Sequence, residues 1–215
     1  SLLEIPKDRV TGQTEPVLIK RSDSKSLTFG FSMVLDRTLT EKERNALEAL
    51  NHLLTGTLHS RIFGKAREDG LVYSMFSEFD NDYYSSSWDF AGQVMPETAP
   101  KLFLLIADEL RSILAGNIKD EEVLATKSYA LGRYQMGAQT VAQISNFYTA
   151  SYFSKDEIRK YKRIPREISR VDKAAMVEIA RDFAKNGKRA FAAVGNASSK
   201  LIDELNQIIS EVTYG

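Results

Sequence analysis

The chain changes its hydrophobic period once, and that change decides its fold class. Leu27, Phe29, Phe31, Met33 and Leu35 alternate with Thr28, Gly30, Ser32 and Val34. A period of two marks a strand with one buried face. The stretch 83–94 repeats the pattern, with Tyr84, Ser86, Trp88 and Phe90 set against Tyr83, Ser85, Ser87 and Asp89. Residues 71–79 read as its hairpin partner across the turn Asp80-Asn81-Asp82. From Pro96 onward the period is helical, beginning with Leu102, Phe103, Ile106, Leu110, Ile113 and Leu114.

Shorter signals fill in the rest. Val17 to Lys20 reads as a strand, and Thr40 with Glu43 is a capping box opening a helix. Ala46, Leu47, Leu50, Leu53 and Leu54 form its apolar stripe, and Thr55-Gly56-Thr57 stops it. A second helical stretch runs from Ser60 to Arg67 and ends at Asp69-Gly70. Asp120 to about Phe153 reads as one long helix, with weak points at Gly132 and Gly137. Helices follow near 155–163 and 172–185, then a strand over 189–194 and a closing helix over 201–212. The order β-β-α-α-β-β-α-α-α-α-β-α predicts an α+β sandwich, a mostly antiparallel sheet covered on one face by helices. Residues 1–16, with Pro6, Gly12 and Pro16, are expected to be an extended lead-in or linker, and 17–215 a single domain.

Composition removes whole classes of function. Twenty-nine basic residues balance 29 acidic ones, which argues against a nucleic-acid or anionic-membrane binder. With no cysteine there is no disulfide, thiolate site or Cys nucleophile, and the cell compartment stays open between cytoplasm and periplasm. No apolar run reaches the ~20 residues that span a bilayer. The chain opens on Ser rather than Met without a signal-like segment, as expected of a piece excised from something longer.

Motifs for chemistry are sparse. His52 and His59 sit in neither H-E-x-x-H nor H-x-x-E-H, so no zinc site is expected here and both read as structural or surface residues. There is no G-x-S-x-G elbow, Walker loop or G-x-G-x-x-G. The basic group Arg159, Lys160, Lys162, Arg163, Arg166 and Arg170 alternates with isoleucines at helical spacing and reads as a solvated face. Phe147, Tyr148, Tyr152 and Phe153, like Trp88, are expected to pack in the core.

One stretch is specific. Residues 47–77 read LEALNHLLTGTLHSRIFGKAREDGLVYSMFS. They resemble the C-terminal, non-zinc half of pitrilysin-like metallopeptidases, the group that includes mitochondrial processing peptidase and insulin-degrading enzyme. The family pattern runs from a helix ending near L-N-x-L-L-G-G-G through S-R-L-F to a basic-acidic pair and G-L-x-Y-S. Leu50-Asn51-His52-Leu53-Leu54, Ser60-Arg61-Ile62-Phe63, Arg67-Glu68 and Gly70-Leu71-Val72-Tyr73-Ser74 follow it in order. The later segments 118–134, 171–184 and 189–196 look like the family's later elements.

The resemblance implies the sandwich of processing-peptidase and LuxS-like halves, two of which close around an extended peptide. It implies a zinc on the homologous partner half, in cis or in trans, and none on this chain. Self-association into a homo-oligomer is a further assembly compatible with it. By resemblance the substrate-binding residues are Arg67 and Tyr73, with Tyr73 also the catalytic one. A guanidinium holds peptide carbonyls, and a phenol donates a hydrogen bond to the oxyanion formed in hydrolysis. The family spacing between these two carries one residue more, and the Gly-Gly-Gly loop is here Thr55-Gly56-Thr57. A one-residue deletion inside a helix would swing Arg67 by about 100°. Two other readings are a catalytically silent scaffold or assembly subunit of the same fold, and an unrelated α+β binding module.

Overall fold

A computed structural model describes residues 7, 9–155, 158 and 160–213 of the chain. Its sheet has five strands in the order β1-β5-β2-β4-β3. They are β1 (Val17–Lys20), β2 (Leu27–Leu35), β3 (Val72–Asn81), β4 (Ser86–Val94) and β5 (Lys188–Gly195). Only the β1–β5 pairing is parallel; the other neighbours run antiparallel. Helices α1 (Glu41–Thr55), α3 (Ala99–Leu114), α7 (Lys173–Asn186) and α8 (Ser199–Thr213) close the layer over one sheet face. The α+β sandwich read from the period change is the architecture observed.

The alternation explains which face is covered. Leu27, Phe29, Phe31, Met33 and Leu35 of β2 are buried, as are Trp88 and Phe90 of β4 and Phe191 and Ala193 of β5. Phe31 stacks on Phe90 at 4.7 Å, and Trp88 meets Phe183 of α7 at 5.8 Å. The opposite face is open and lined by small side chains. One row crosses the whole sheet as Val17, Ala192, Gly30, Ala91 and Phe76. Its two ends, Val17 and Phe76, are 39% and 47% exposed.

The capping box at α1 is formed: the Glu43 amide donates to Thr40 Oγ1, and the Glu43 carboxylate accepts from the Thr40 amide. Such a cap is worth ~1 kcal/mol.

Three elements differ from the sequence expectation. The helix expected over 120–153 is two, α4 (Asp120–Met136) and α5 (Val141–Lys155). Gly137 caps the first, and Thr140 with Gln143 opens the second through reciprocal hydrogen bonds of 3.0 and 3.2 Å. That T-x-x-Q is itself a helix-start signal. The helix expected near 155–163 lies partly outside the described residues; 161–163 form a 3-10 turn, and α6 (Ile164–Ser169) starts after it with Pro165 in its first turn. The hairpin turn is later than expected. Asn81 still pairs with Ser86, and the turn is made by 82–85, so Tyr83 and Tyr84 are exposed turn residues.

Candidate functional site

The corner between the short helix α2 (Phe63–Glu68) and edge strand β3 carries the two residues singled out by the sequence. The chain turns through Gly70, whose φ of 66° is left-handed backbone that favours glycine. The Leu71 amide donates back to the Ala66 carbonyl at 2.8 Å, delivering the chain onto the sheet.

The start of β3 is bulged. Val72 pairs with Val94 and Met75 with Gly92, so Tyr73 and Ser74 together face the single residue Gln93. The bulge presses on Gly92, where a Cβ would stand 3.0 Å from the Ser74 carbonyl and 3.2 Å from Met75 Cβ. A side chain there would need the neighbouring strand to give by a few tenths of an ångström, so glycine suits the position. With the alternation interrupted, Tyr73 projects into solvent, 81% exposed.

Arg67 reaches across this bulge. Its Nη1 donates to the carbonyls of Val72 at 3.3 Å and Tyr73 at 3.2 Å. Its guanidinium carbon lies 5.6 Å from the Tyr73 ring centroid, a cation–π contact. The shorter spacing therefore leaves Arg67 and Tyr73 together. Among the described residues the Tyr73 hydroxyl has no hydrogen-bond partner.

The rest of the motif holds the corner in place. Thr55 Oγ1 accepts from the Ser77 amide at 2.8 Å, tying the end of α1 to β3. Ser60 Oγ donates to the Thr57 carbonyl at 2.6 Å and accepts from the Thr57 amide at 2.7 Å, closing the Thr55-Gly56-Thr57 loop. Arg61 points the other way. It bonds both carboxylate oxygens of Glu122 and the Asn117 carbonyl, with Glu109 at 3.4 Å. The hydrogen bond to Glu122 raises the proton affinity of Arg61 against the effect of burial. Burial pushes Glu122 up, but the bonds from Arg61 and the Lys119 amide outweigh it and hold the carboxyl below its usual value. Arg61 is thus an anchor of the fold.

A second feature has no local signal in the sequence. A cavity of about 570 Å³ opens between α1, α4, α5, α6 and the distal part of β3. His52 lines it, half-buried and stacked at 3.8 Å on Tyr129, with both ring nitrogens shielded and without a hydrogen-bond partner among the described residues. Phe147, expected in the core, instead lines this cavity and meets Tyr161 at 4.9 Å; Tyr148 is half-buried, Tyr152 is exposed, and the side chain of Phe153 lies outside the described residues. Of the basic group, Lys162, Arg163, Arg166 and Arg170 are solvent-exposed as expected. His59 is exposed, and Trp88 is a core residue.

The family model described as the peptidase M16 inactive domain matches residues 2–129. The chain belongs to that family. This removes the reading of an unrelated α+β module. No curated protein sequence matches the chain. Among solved structures, a protease from Helicobacter pylori is similar at 13% identity and TM-score 0.73, covering 90% of this chain and 48% of that one. An M16 inactive domain from Pseudomonas fluorescens gives 17% identity and TM-score 0.71, covering 84% and 43%. A chain of Complex III2 from Candida albicans gives 12% and 0.74, covering 94% and 49%. The chain spans about half the length of these three structures. At such identities the likeness is one of fold. In this M16 inactive domain, the described residues contain no group of three or more His, Asp or Glu able to hold a metal ion. None of its described helices is long and apolar enough to cross a membrane.

Proposed function

We propose that the chain is the non-zinc half of a zinc metalloendopeptidase, enclosing an extended peptide and stabilising its hydrolysis at a zinc held by a homologous partner half, in cis or in trans. The observation that carries this reading is the Arg67–Tyr73 pair at the head of an edge strand. β3 ends the sheet, so a peptide joins there as a further strand, gaining main-chain hydrogen bonds with little sequence preference. Tyr73, held at the bulge with its hydroxyl unengaged, donates to the carbonyl oxygen as charge develops on it. Arg67 fixes the strand's own carbonyls and places positive charge beside the ring.

The described residues of this chain hold no group that fits a metal, so in this reading the zinc is held by the partner half alone. The open sheet face, small at its centre and apolar at both ends, supplies a surface against which the partner half packs. The second reading, a silent scaffold or assembly subunit, uses the same surface without chemistry.

A quenched generic peptide distinguishes the two readings. As a non-zinc half, this chain alone with zinc is expected to be silent, with hydrolysis once the zinc half is present. Silence with a folded zinc half present supports the scaffold.

A further inference from the structure

The cavity beside His52 is unlike a packing fault. Protein interiors are packed to crystal-like density with few voids larger than a water molecule. At about 570 Å³ this space is the size of a small-molecule site. Its walls divide in character. Phe79, Phe147, Tyr134, Ile164 and Ile168 form an apolar body. Arg44, Lys127 and Arg133 line it with positive charge, against Glu48 as the one acidic lining residue among the described residues.

One face of α4 builds much of this. Thr126, Tyr129, Ala130, Arg133 and Tyr134 recur at intervals of three and four and all reach the cavity. Lys127 is engaged with the Ser169 carbonyl at 3.1 Å. The exposed Arg133 guanidinium has no hydrogen-bond or ion-pair partner among the described residues. His52 braces Tyr129 by stacking while its own nitrogens stay unpaired among the described residues, an arrangement that costs stability and maintains the wall.

We propose that this cavity binds an apolar monocarboxylate, with Arg133 pairing the carboxylate and the apolar body lying against Phe147, Tyr134 and Ile168. A free medium-chain acid and the apolar carboxy-terminal residue of a peptide present the same chemistry. The site is separate from the Arg67–Tyr73 corner: Phe79 stands six residues along β3 from Tyr73, about 20 Å in an extended strand.

The test is calorimetric titration of the natural polypeptide containing these residues. The probes are octanoate, a short peptide ending in phenylalanine with a free carboxylate, and the amide of each. The expected result is saturable binding of at least one acid at millimolar concentration or below, with its amide weaker by roughly tenfold or more. Octanoate binding assigns the free acid; binding of the peptide acid alone assigns the peptide terminus. Arg133→Gln, at an exposed position, weakens the acid to the level of the amide, and Ala130→Trp fills the space and abolishes binding in a protein still folded by circular dichroism. Neither acid binding, amides binding as well as acids, or Arg133→Gln leaving affinity unchanged overturns the proposal. Peptidase activity is not read, so the outcome is independent of the hydrolytic role proposed above.

Discussion

The indole nitrogen of Trp88 donates to Asn51 Oδ1 at 2.8 Å, with both residues buried. This bond joins α1 to the central part of the sheet and gives the L-N-x-L-L segment its asparagine a structural purpose. Removing the acceptor leaves a buried N–H unpaired, which costs ~1–3 kcal/mol. Asn51→Ala is therefore expected to lower the melting temperature by several degrees. Trp88→Phe also removes the donor, so the double variant should lose less than the sum of the two. Additive losses would show that the bond carries no energy of its own.

Gly92→Ala tests the bulge. The added methyl meets the Ser74 carbonyl and Met75 Cβ at 3.0 and 3.2 Å, close enough that the bulged backbone must give by a few tenths of an ångström. The expected cost is ~1–3 kcal/mol, the usual range for overpacking. Because the shifted backbone carries Tyr73, turnover of the assembled peptidase should also fall. A stable variant with unchanged turnover would separate the bulge from the chemistry.

His52 gives a pH dependence. Burial first, and the charge of Arg133 second, hold its imidazole below the ordinary value of 6.5. As pH falls through 6.5 the unfolded chain takes up a proton that the folded chain resists. Stability from this group is therefore full above pH 6.5 and declines below it. Denaturant midpoints between pH 7 and pH 5 should fall more for the natural chain than for His52→Phe, which keeps the stack on Tyr129. Equal slopes would contradict the assignment.

Much of the sheet was legible because alternation is a direct imprint of one covered face. The residues Leu27 to Leu35 and Ser86 to Phe90 read the same way in sequence and structure. The break between α4 and α5 is hard to read because Gly137 is equally compatible with a weak point inside one helix, although Thr140 and Gln143 spell a new start. At the site, the motif brought Arg67 and Tyr73 to attention, but the bulge that exposes Tyr73 depends on Gly92 of another strand. The cavity left no local sequence signal, since its walls come from separate elements that only the tertiary fold assembles.

Whether the Tyr73 hydroxyl acts in hydrolysis is read from kcat and KM of the assembled peptidase carrying Tyr73→Phe. A hydroxyl that acts on developing charge is worth ~10²-fold or more in kcat and little in KM. That split is expected, in a variant that folds normally because Tyr73 lies on the surface. An unchanged kcat, or a loss confined to KM, would contradict the catalytic role of Tyr73.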